Sequence, residues 1–289
     1  MSTASTPAPS IELHSPIAWV GRASLNSVGY LGSAGLLAAG AMRSLFRTKG
    51  PAPALAPAVS WQLARALSMG FVLTGLIHVG LGSFLSMQSY FGGTFIDGAG
   101  AVVGVGLVRN LAPLMSGMTL AALLAARLTP ELRARLRATP AGDLETLPDA
   151  GRVALPRLIA GTISGPVLAL WGSVVGSLVG WAVAASLLGL SGNTFWQMFC
   201  DMLWVRDILG LVVKGMGFGF FGALFACLEG LRGPVGDEAD SDPDSVQWAV
   251  FRACCLSALA ILLINSSWFV LVYRAGPAFG PTLLAPPNS

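Results

Sequence analysis

Charged residues are scarce in this chain of 289 residues, at 11%, whereas apolar residues make up 54%. Soluble domains carry about 25% charged residues. The composition therefore excludes an ordinary soluble domain and indicates an integral membrane protein. The net charge is only +3, and the basic residues cluster in a few segments between hydrophobic runs. Because membrane topology accounts for that clustering, we expect no nucleic-acid partner.

The chain also lacks the short motifs that accompany common enzyme chemistry. It contains no Walker GxxxxGK(S/T), HExxH or GxSxG motif. The four cysteines form no CxxC pair, and with two histidines beside them they make no zinc pattern. Gly217, Gly219 and Gly222 match the letters of GxGxxG, but no predicted strand precedes them and their flanks are apolar. We therefore expect no catalytic residue, no metal site and no cofactor bound directly by this chain.

Five hydrophobic runs are each long enough to cross a bilayer, which takes about 20 apolar residues in a helix. They cover approximately Ala66–Met87, Ala99–Ala125, Leu158–Leu190, Ile208–Leu228 and Val246–Val272. Residues 1–15 lack the basic and apolar regions of a cleavable signal peptide and are expected to be disordered. We predict an all-α integral membrane protein whose five transmembrane helices lie within residues 66–273.

Residues 16–65 are expected to form an interfacial, elbow-like helical region ahead of the first span. Polar residues interrupt the apolar pattern of Pro16–Phe46, which favours a helix lying in the membrane interface, with Trp19 and Tyr30 at headgroup depth. The alternative is an additional span over Val28–Met42, a stretch that is short and rich in glycine for that purpose. A proline-rich stretch, PAPALAP, then interrupts the chain.

The distribution of basic residues predicts the orientation. Thirteen basic residues lie in segments that five spans place on the side of the N-terminus, against two on the other side. By the positive-inside rule the N-terminus is cytoplasmic and the C-terminus lies outside. We therefore predict a multi-pass protein of the bacterial inner membrane. The arginine-rich segment 127–157 and the acidic segment 230–245 become cytoplasmic loops, the former with short helices over Pro130–Ala138 and Asp143–Leu147, and residues 274–289 become an external tail.

Arg109 and Asn110 interrupt the second hydrophobic run, shortly before Pro113. A charge at the centre of a transmembrane helix costs about 3 kcal/mol on insertion scales, and an intramembrane ionisable residue indicates a functional position. The alternative is that Arg109 lies near a membrane face and extends its side chain to water. Lys214 interrupts the fourth run, and Asn265 lies in the fifth. We predict that these four polar residues form an intramembrane cluster.

Regularly spaced glycines predict where helices pack closely. Gly172, Gly176 and Gly180 recur every four residues in the third run, which leaves one flat helix face. Gly215 and Gly219 have the same spacing in the fourth run, where we interpret them as packing positions.

Several stretches, taken in order, resemble those of a known family. VGRASL lies in the N-terminal helix, SFLSMQSY ends the first run, LVRNLAPLMSGMTLAALLAAR belongs to the second, LPRLIAGTISGPVL opens the third, and GNTFWQMFCDMLWVRDILGLVVKGMGFGFFGALFACLEGLRG covers the fourth. By the order and spacing of these stretches, the chain resembles the MlaE (YrbE) permeases of MCE-associated ABC lipid transporters over nearly its whole length.

The resemblance implies a permease that moves lipids or other hydrophobic molecules across the cell envelope. It also implies a second permease subunit, a cytoplasmic ABC ATPase that binds and hydrolyses ATP, and an MCE protein on the outer side. A lipid cavity between the two permeases is expected to be lined by Leu76, Phe84, Met87, Leu114 and Phe269. The expected contact with the ATPase, within the cytoplasmic loop, consists of Asp143, Leu144, Glu145 and Leu147.

Two positions depart from the family pattern. The family's Arg-Glu pair reads Arg109-Asn110 in this chain, and Asn265 or a neighbouring serine stands where the family often has an acid in the fifth span. Because a buried cation without a counter-ion is costly, we expect a partner subunit, lipid phosphate or water to serve Arg109 and Lys214. This favours a heterodimer of permeases over a homodimer. It also leaves open a structural, transport-inactive subunit that stabilises an active partner.

Overall fold

The computed structural model describes residues 16–46, 55–91, 98–138, 150–232 and 243–273. Nearly all of them are helical, and these five ranges contain no strand. The predicted disordered N-terminus, the external tail and the segment Asp143–Leu147 lie outside the described residues, so those predictions stay predictions.

Five of the described helical stretches are long and apolar enough to cross a membrane. They are Leu55–Ser89, Ala99–Arg137, Ala150–Leu188, Val205–Leu231 and Asp244–Val272. The prediction of an all-α membrane protein with five candidate spans is therefore confirmed. Each helix extends beyond its hydrophobic run at one end or both, because a helix continues wherever its backbone hydrogen bonds can form, including the polar ends outside a bilayer.

The first span belongs to a longer helix than its hydrophobic run predicts. Helix α1 covers Pro16–Phe46 and helix α2 covers Leu55–Phe91. Residues from Leu55 to Arg65, expected in the elbow region, are thus the first three turns of α2. Pro57 is tolerated there because the N–H groups of the first helical turn have no intrahelical partner in any case.

The second span is one continuous rod built from three pieces. Helix α3 covers Ala99–Val103, a π-helical segment covers Gly104–Leu111, and helix α4 covers Ala112–Arg137. The predicted separate helix over Pro130–Ala138 is wrong as a separate element, since α4 runs through Pro130 without a break. Helix α5 begins at Ala150 and ends at Leu188. Both ends of the arginine-rich segment are therefore helical extensions of the neighbouring spans.

Three further elements complete the described chain. Helix α6 covers Gly192–Met202, helix α7 covers Val205–Leu231, and helix α8 covers Pro243–Trp268, continued by a π-helical turn over Phe269–Tyr273. Helix α1 packs against α5 and α7 and is not one of the five candidate spans. Its predicted placement in the membrane interface stays a prediction.

Helix α5 packs against α7 through facing glycines. A Cβ atom at Gly165 would lie 1.9 Å from the carbonyl oxygen of Gly215, and one at Gly219 would lie 1.9 Å from that of Gly161. No other residue type fits at such distances, so the two backbones are in direct contact. The interpretation of Gly215 and Gly219 as packing positions is confirmed.

Three other glycines of α5, Gly172, Gly176 and Gly180, allow a second close contact, with α2 and the second span. A Cβ atom at Gly172 would lie 2.6 Å from the ring of His78, and one at Gly176 would lie 2.6 Å from the side chain of Leu107. Gly180 lies against Val103 and accepts a 2.7 Å hydrogen bond from the hydroxyl of Ser86. The flat face predicted from this spacing therefore holds three neighbouring elements in place.

Candidate functional site

The π-helical segment carries the polar residues of the second span. Pro113 is the second residue after this segment and has no N–H group to donate to the carbonyl of Arg109 four residues earlier. That carbonyl instead accepts a 2.6 Å hydrogen bond from Nζ of Lys214 on α7. Single π-helical turns inside longer helices are frequent at functional sites, and here the turn and the proline together expose a backbone oxygen to a buried cation.

Arg109 pairs with a carboxylate of the same chain. Its Nε donates to Oδ1 of Asp207 at 3.0 Å, and its Nη2 donates to Oδ2 at 2.8 Å, which is a bidentate arrangement. The side chain of Arg109 is 19% exposed, and that of Asp207 is fully buried. The expectation that the counter-charge comes from outside the chain is therefore wrong for Arg109. The alternative that Arg109 lies near a membrane face stays a prediction, because its side chain is 19% exposed although two of its nitrogens bind the carboxylate.

Asp207 is held in place from both sides. It lies in the first turn of α7, where the helix dipole favours a negative charge. The backbone N–H of Trp204 donates to its Oδ2 at 3.0 Å. Arg109 makes one further contact, from Nη2 to the carbonyl of Met202 at 3.3 Å. The guanidinium group of Arg109 thus holds the α6–α7 connection against the second span.

Lys214 extends the polar contacts to the fifth span. Its Nζ donates to Oδ1 of Asn265 at 3.2 Å, and Nδ2 of Asn265 donates to Oδ1 of Asn110 at 2.9 Å. The Phe269 ring lies 5.4 Å from Nζ, within cation–π distance. Lys214 is 1% exposed and Asn265 is 8% exposed. The two amides therefore form part of a chain of hydrogen bonds.

We call the connected residues Arg109, Asn110, Asp207, Lys214 and Asn265 the polar network. It joins the second, fourth and fifth spans. Asp207 and Lys214 are seven residues apart on α7, which is about 10 Å along the axis on nearly the same face. In an apolar surrounding each hydrogen bond is strengthened, and each group left without its partner is costly. The polar network therefore connects three spans to one another. At the end nearer the α6–α7 connection, the Asp207 carboxylate neutralises the charge of Arg109.

Comparison with known sequences identifies the family. The family model described as Permease MlaE matches residues 59–271, which include the whole polar network. The chain belongs to the MlaE permease family. It is 30% identical over 191 residues to a probable ABC transporter permease protein of Rickettsia typhi, covering 64% of this chain and 71% of that protein.

Two further relatives agree with this membership. A probable ABC transporter permease protein of Rickettsia bellii is 28% identical over 190 residues, covering 64% of this chain and 71% of that protein. The intermembrane phospholipid transport system permease protein MlaE of Haemophilus influenzae is 24% identical over 213 residues, covering 71% of this chain and 77% of that protein. The chain is thus a permease of an ABC transporter and a multi-pass protein of the inner membrane. It is a transport subunit rather than an enzyme.

The sequence predicted four of the five members of the polar network and missed Asp207. Asp207 directly precedes the hydrophobic run Ile208–Leu228, so hydropathy places it outside the predicted spans. Two signals point to it: an acid suits the first turn of a helix, and it stands seven residues before Lys214, almost two complete helical turns.

The structure separates the five predicted cavity residues. Leu76, Phe84 and Met87 are exposed on α2, with exposed fractions of 65%, 58% and 41%. Met87 also lines a pocket of about 200 Å³ between α2 and α5. Leu114 packs instead against a buried cluster within the chain, and Phe269 lies over the polar network. Their lining of one lipid cavity stays a prediction.

The predicted ATPase contact is bounded by two helices that an ion pair connects. Nη2 of Arg157, near the start of α5, lies 2.7 Å from Oε1 of Glu131 on α4. Arg135 binds the same oxygen at 3.2 Å. The side chain of Arg157 is 3% exposed, so this pair is part of the packed structure. It connects α4 and α5, the two helices on either side of the predicted contact.

Proposed function

We propose that this chain is the membrane-spanning permease subunit of an MCE-associated ABC transporter that moves lipids or other hydrophobic molecules across the cell envelope. The observation that carries the proposal is the family match, which extends from the first candidate span to the fifth. The Haemophilus influenzae relative is the permease of an intermembrane phospholipid transport system, and this supports a lipid substrate for the present chain.

A separate cytoplasmic ATPase drives transport in this proposal. The chain has no Walker motif of its own, and its relatives are permeases of ABC transporters. In the predicted orientation, with the N-terminus in the cytoplasm and the C-terminus outside, the segment 138–149 faces the cytoplasm. It binds the ATPase and transmits its movement to α4 and α5, whose ends the Glu131–Arg157 ion pair holds together.

The polar network keeps the spans in register during this movement. Arg109 and Lys214 use their hydrogen-bonding groups on Asp207, Asn265 and backbone oxygens within the chain. We therefore assign them a positioning role in preference to the capture of a lipid headgroup. The substrate passes along the exposed apolar faces, of which α2 and α8 show the largest shares outside the packed core.

A second permease completes the cavity in this proposal. Asp207 supplies the counter-charge of Arg109 within the chain, so Arg109 gives no reason to expect an acid from a different permease. Lys214 binds a carbonyl and an amide, and it is compatible with either kind of dimer. The dimer can therefore be formed with a second copy or with a related permease. Disulfide crosslinking of single cysteines placed on the exposed face of α8, with the native cysteines replaced, gives a product of twice the mass of this chain if the partner is a second copy, and no such product if the partner is a related permease.

Affinity purification of the tagged full-length chain from native membranes tests the proposal. We expect a P-loop ATPase and an MCE protein to co-purify in fixed ratio. Purification of the chain with neither, under conditions in which another inner-membrane ABC transporter stays intact, contradicts it.

The second candidate function is a structural, transport-inactive subunit. The replacement of two family acids by Asn110 and Asn265 favoured it on the sequence, but both amides have hydrogen-bond partners in the polar network. Deletion of Asp143–Leu147 separates the two functions. In a structural subunit the deletion leaves the lipid movement of the assembly unaffected, whereas a transporting subunit assembles and fails to move lipid.

A further inference from the structure

A second charged site lies at the opposite end of α7 from Arg109 and Asp207. Glu229 is fully buried near the end of α7, and Arg252 of α8 binds its Oε2 through Nη2 at 2.7 Å and Nε at 3.2 Å. Asp207 and Glu229 are separated by 22 residues on the helix, which is about 33 Å along the axis. That distance is close to the hydrocarbon thickness of a bilayer, so the two sites lie at opposite membrane faces.

A pocket of about 420 Å³ opens beside Glu229, between α1, α7 and α8. The charged side chains that line it are Glu229, Arg232 and Arg252, which leaves one net positive charge. Arg232 lies over the ring of Tyr30, with its guanidinium carbon 4.6 Å from the ring centre. The side chain of Arg252 is 56% exposed despite its ion pair. Two guanidinium groups thus face one opening, and guanidinium groups bind phosphate oxygens well.

The hydroxyl of Tyr30 and Oε1 of Glu229 are two buried polar atoms at this pocket. Apart from a hydrogen bond between these two side chains, neither atom has a hydrogen-bond partner in the part of the chain that the structure describes. Burial and the Glu229 carboxylate, which accepts a hydrogen bond from the Tyr30 hydroxyl, raise the pKa of that hydroxyl. The carboxylate binds Arg252 through Oε2 and keeps lone pairs on Oε1 that can accept a further hydrogen bond. A ligand that adds to this arrangement therefore carries a donor, such as a hydroxyl.

The remaining wall of the pocket is apolar and continues onto an exposed helix surface. Leu31 of α1 and Leu259 of α8 line the pocket and are 63% and 54% exposed. A charged rim at a membrane face with an apolar surface running from it matches the two parts of a phospholipid, the headgroup and the acyl chains. A free phosphate ion leaves this apolar wall unused.

We propose that this pocket binds the headgroup of an anionic phospholipid bearing a phosphodiester and hydroxyl groups, as in phosphatidylglycerol. Arg232 and Arg252 hold the phosphate, and the Glu229 carboxylate, which Tyr30 orients by its hydrogen bond, accepts from a headgroup hydroxyl through Oε1. The acyl chains lie along Leu31 and Leu259. In the predicted orientation this site belongs to the cytoplasmic leaflet. It extends the proposed function and does not depend on it, because a bound lipid here need not be the transported one.

Native mass spectrometry of the full-length chain in detergent micelles, with dioctanoylphosphatidylglycerol added, tests the site. Arg232→Gln should weaken binding about tenfold, as expected for loss of one charge-assisted contact. Tyr30→Phe should weaken it about fivefold, because it removes the hydroxyl and keeps the ring that stacks on Phe225. Arg206→Gln is the matched control. Arg206 also lies over an aromatic ring, that of Trp204 at 4.0 Å, at the other end of α7, and its variant should bind like the wild type.

Several results overturn the inference. Unchanged affinity in Arg232→Gln removes the proposed phosphate contact, and an equal loss in Arg206→Gln shows a general effect of net charge. Equal binding of dioctanoylphosphatidylcholine, which has no net charge and no donor group, contradicts the headgroup assignment. Displacement of the lipid by inorganic phosphate or glycerophosphoglycerol at millimolar concentration identifies a soluble phosphate compound as the ligand. None of these measurements uses ATP or transport, so failure here is distinguishable from failure of the proposed function.

Discussion

Neutralising Asp207 should destabilise the membrane domain more than any exposed charge change in the chain. In Asp207→Asn the guanidinium group of Arg109 keeps its position and loses both carboxylate contacts, at 2.8 and 3.0 Å. Breaking a buried ion pair by removing one partner costs about 3–5 kcal/mol. Because the side chain of Arg109 is 19% exposed, water compensates part of this, and we expect about 3 kcal/mol, the lower end of that range.

The double variant Arg109→Gln/Asp207→Asn separates the loss of the pair from the cost of an isolated charge. With both charges removed no buried ion lacks a partner, so the double variant should be more stable than Asp207→Asn. We expect a coupling energy of about 2 kcal/mol between the two positions. Unfolding in mixed micelles of dodecyl maltoside and sodium dodecyl sulfate, followed by tryptophan fluorescence, measures Arg109→Gln, Asp207→Asn and the double variant against the wild type. A coupling energy below about 0.5 kcal/mol, which would mean that the effects of the two substitutions simply add, would refute the role assigned to the ion pair.

Three further predictions follow from the packing and the polar network. Gly165→Ala places a Cβ atom 1.9 Å from the carbonyl oxygen of Gly215 and should cost about 1–3 kcal/mol by forcing α5 away from α7. Gly80→Ala, inside α2, meets nothing within 4 Å and should leave the unfolding midpoint unchanged or raise it slightly; equal losses in the two variants would contradict the close contact. Lys214→Met leaves the carbonyl of Arg109 without its donor and should lower stability by about 2 kcal/mol, measured in the same assay, with no loss as the contradicting result. Deletion of Asp143–Leu147 should abolish ATP-dependent lipid movement while membrane insertion, judged by protease protection, stays intact; transport that survives the deletion shows that the segment does not couple the ATPase.

The five spans could be predicted from the sequence because each carries an apolar run of the required length, and no competing element needs such runs. The glycine contacts could be predicted for a similar reason, since glycines four residues apart leave a flat face on any helix. Their partners could not. That Gly165 meets Gly215, or that Gly172 meets the ring of His78, depends on how the helices are arranged in space.

Neither the ends of the helices nor the Arg109–Asp207 ion pair could be predicted from the sequence, for physical reasons. Hydropathy reports the part of a helix that lies in the bilayer, and the polar ends of α4 and α5 continue past it. Asp207 and Arg109 are separated by 98 residues, and their pairing depends on the start of α7 lying against the π-helical segment. From the sequence alone, the expected partner of Arg109 is the next residue, which is Asn110 in place of the acid of the family pattern. The prediction therefore placed the counter-charge outside the chain.

The central claim is that this chain moves lipid under the control of a separate ATPase. The most direct test reconstitutes the chain with its co-purifying subunits in proteoliposomes containing a fluorescent phospholipid, and follows transfer of that lipid to acceptor vesicles on addition of ATP. We expect transfer that requires ATP and stops when the Walker lysine of the partner ATPase is replaced. Transfer at the same rate without ATP, or no transfer by an assembly that hydrolyses ATP, would contradict the claim.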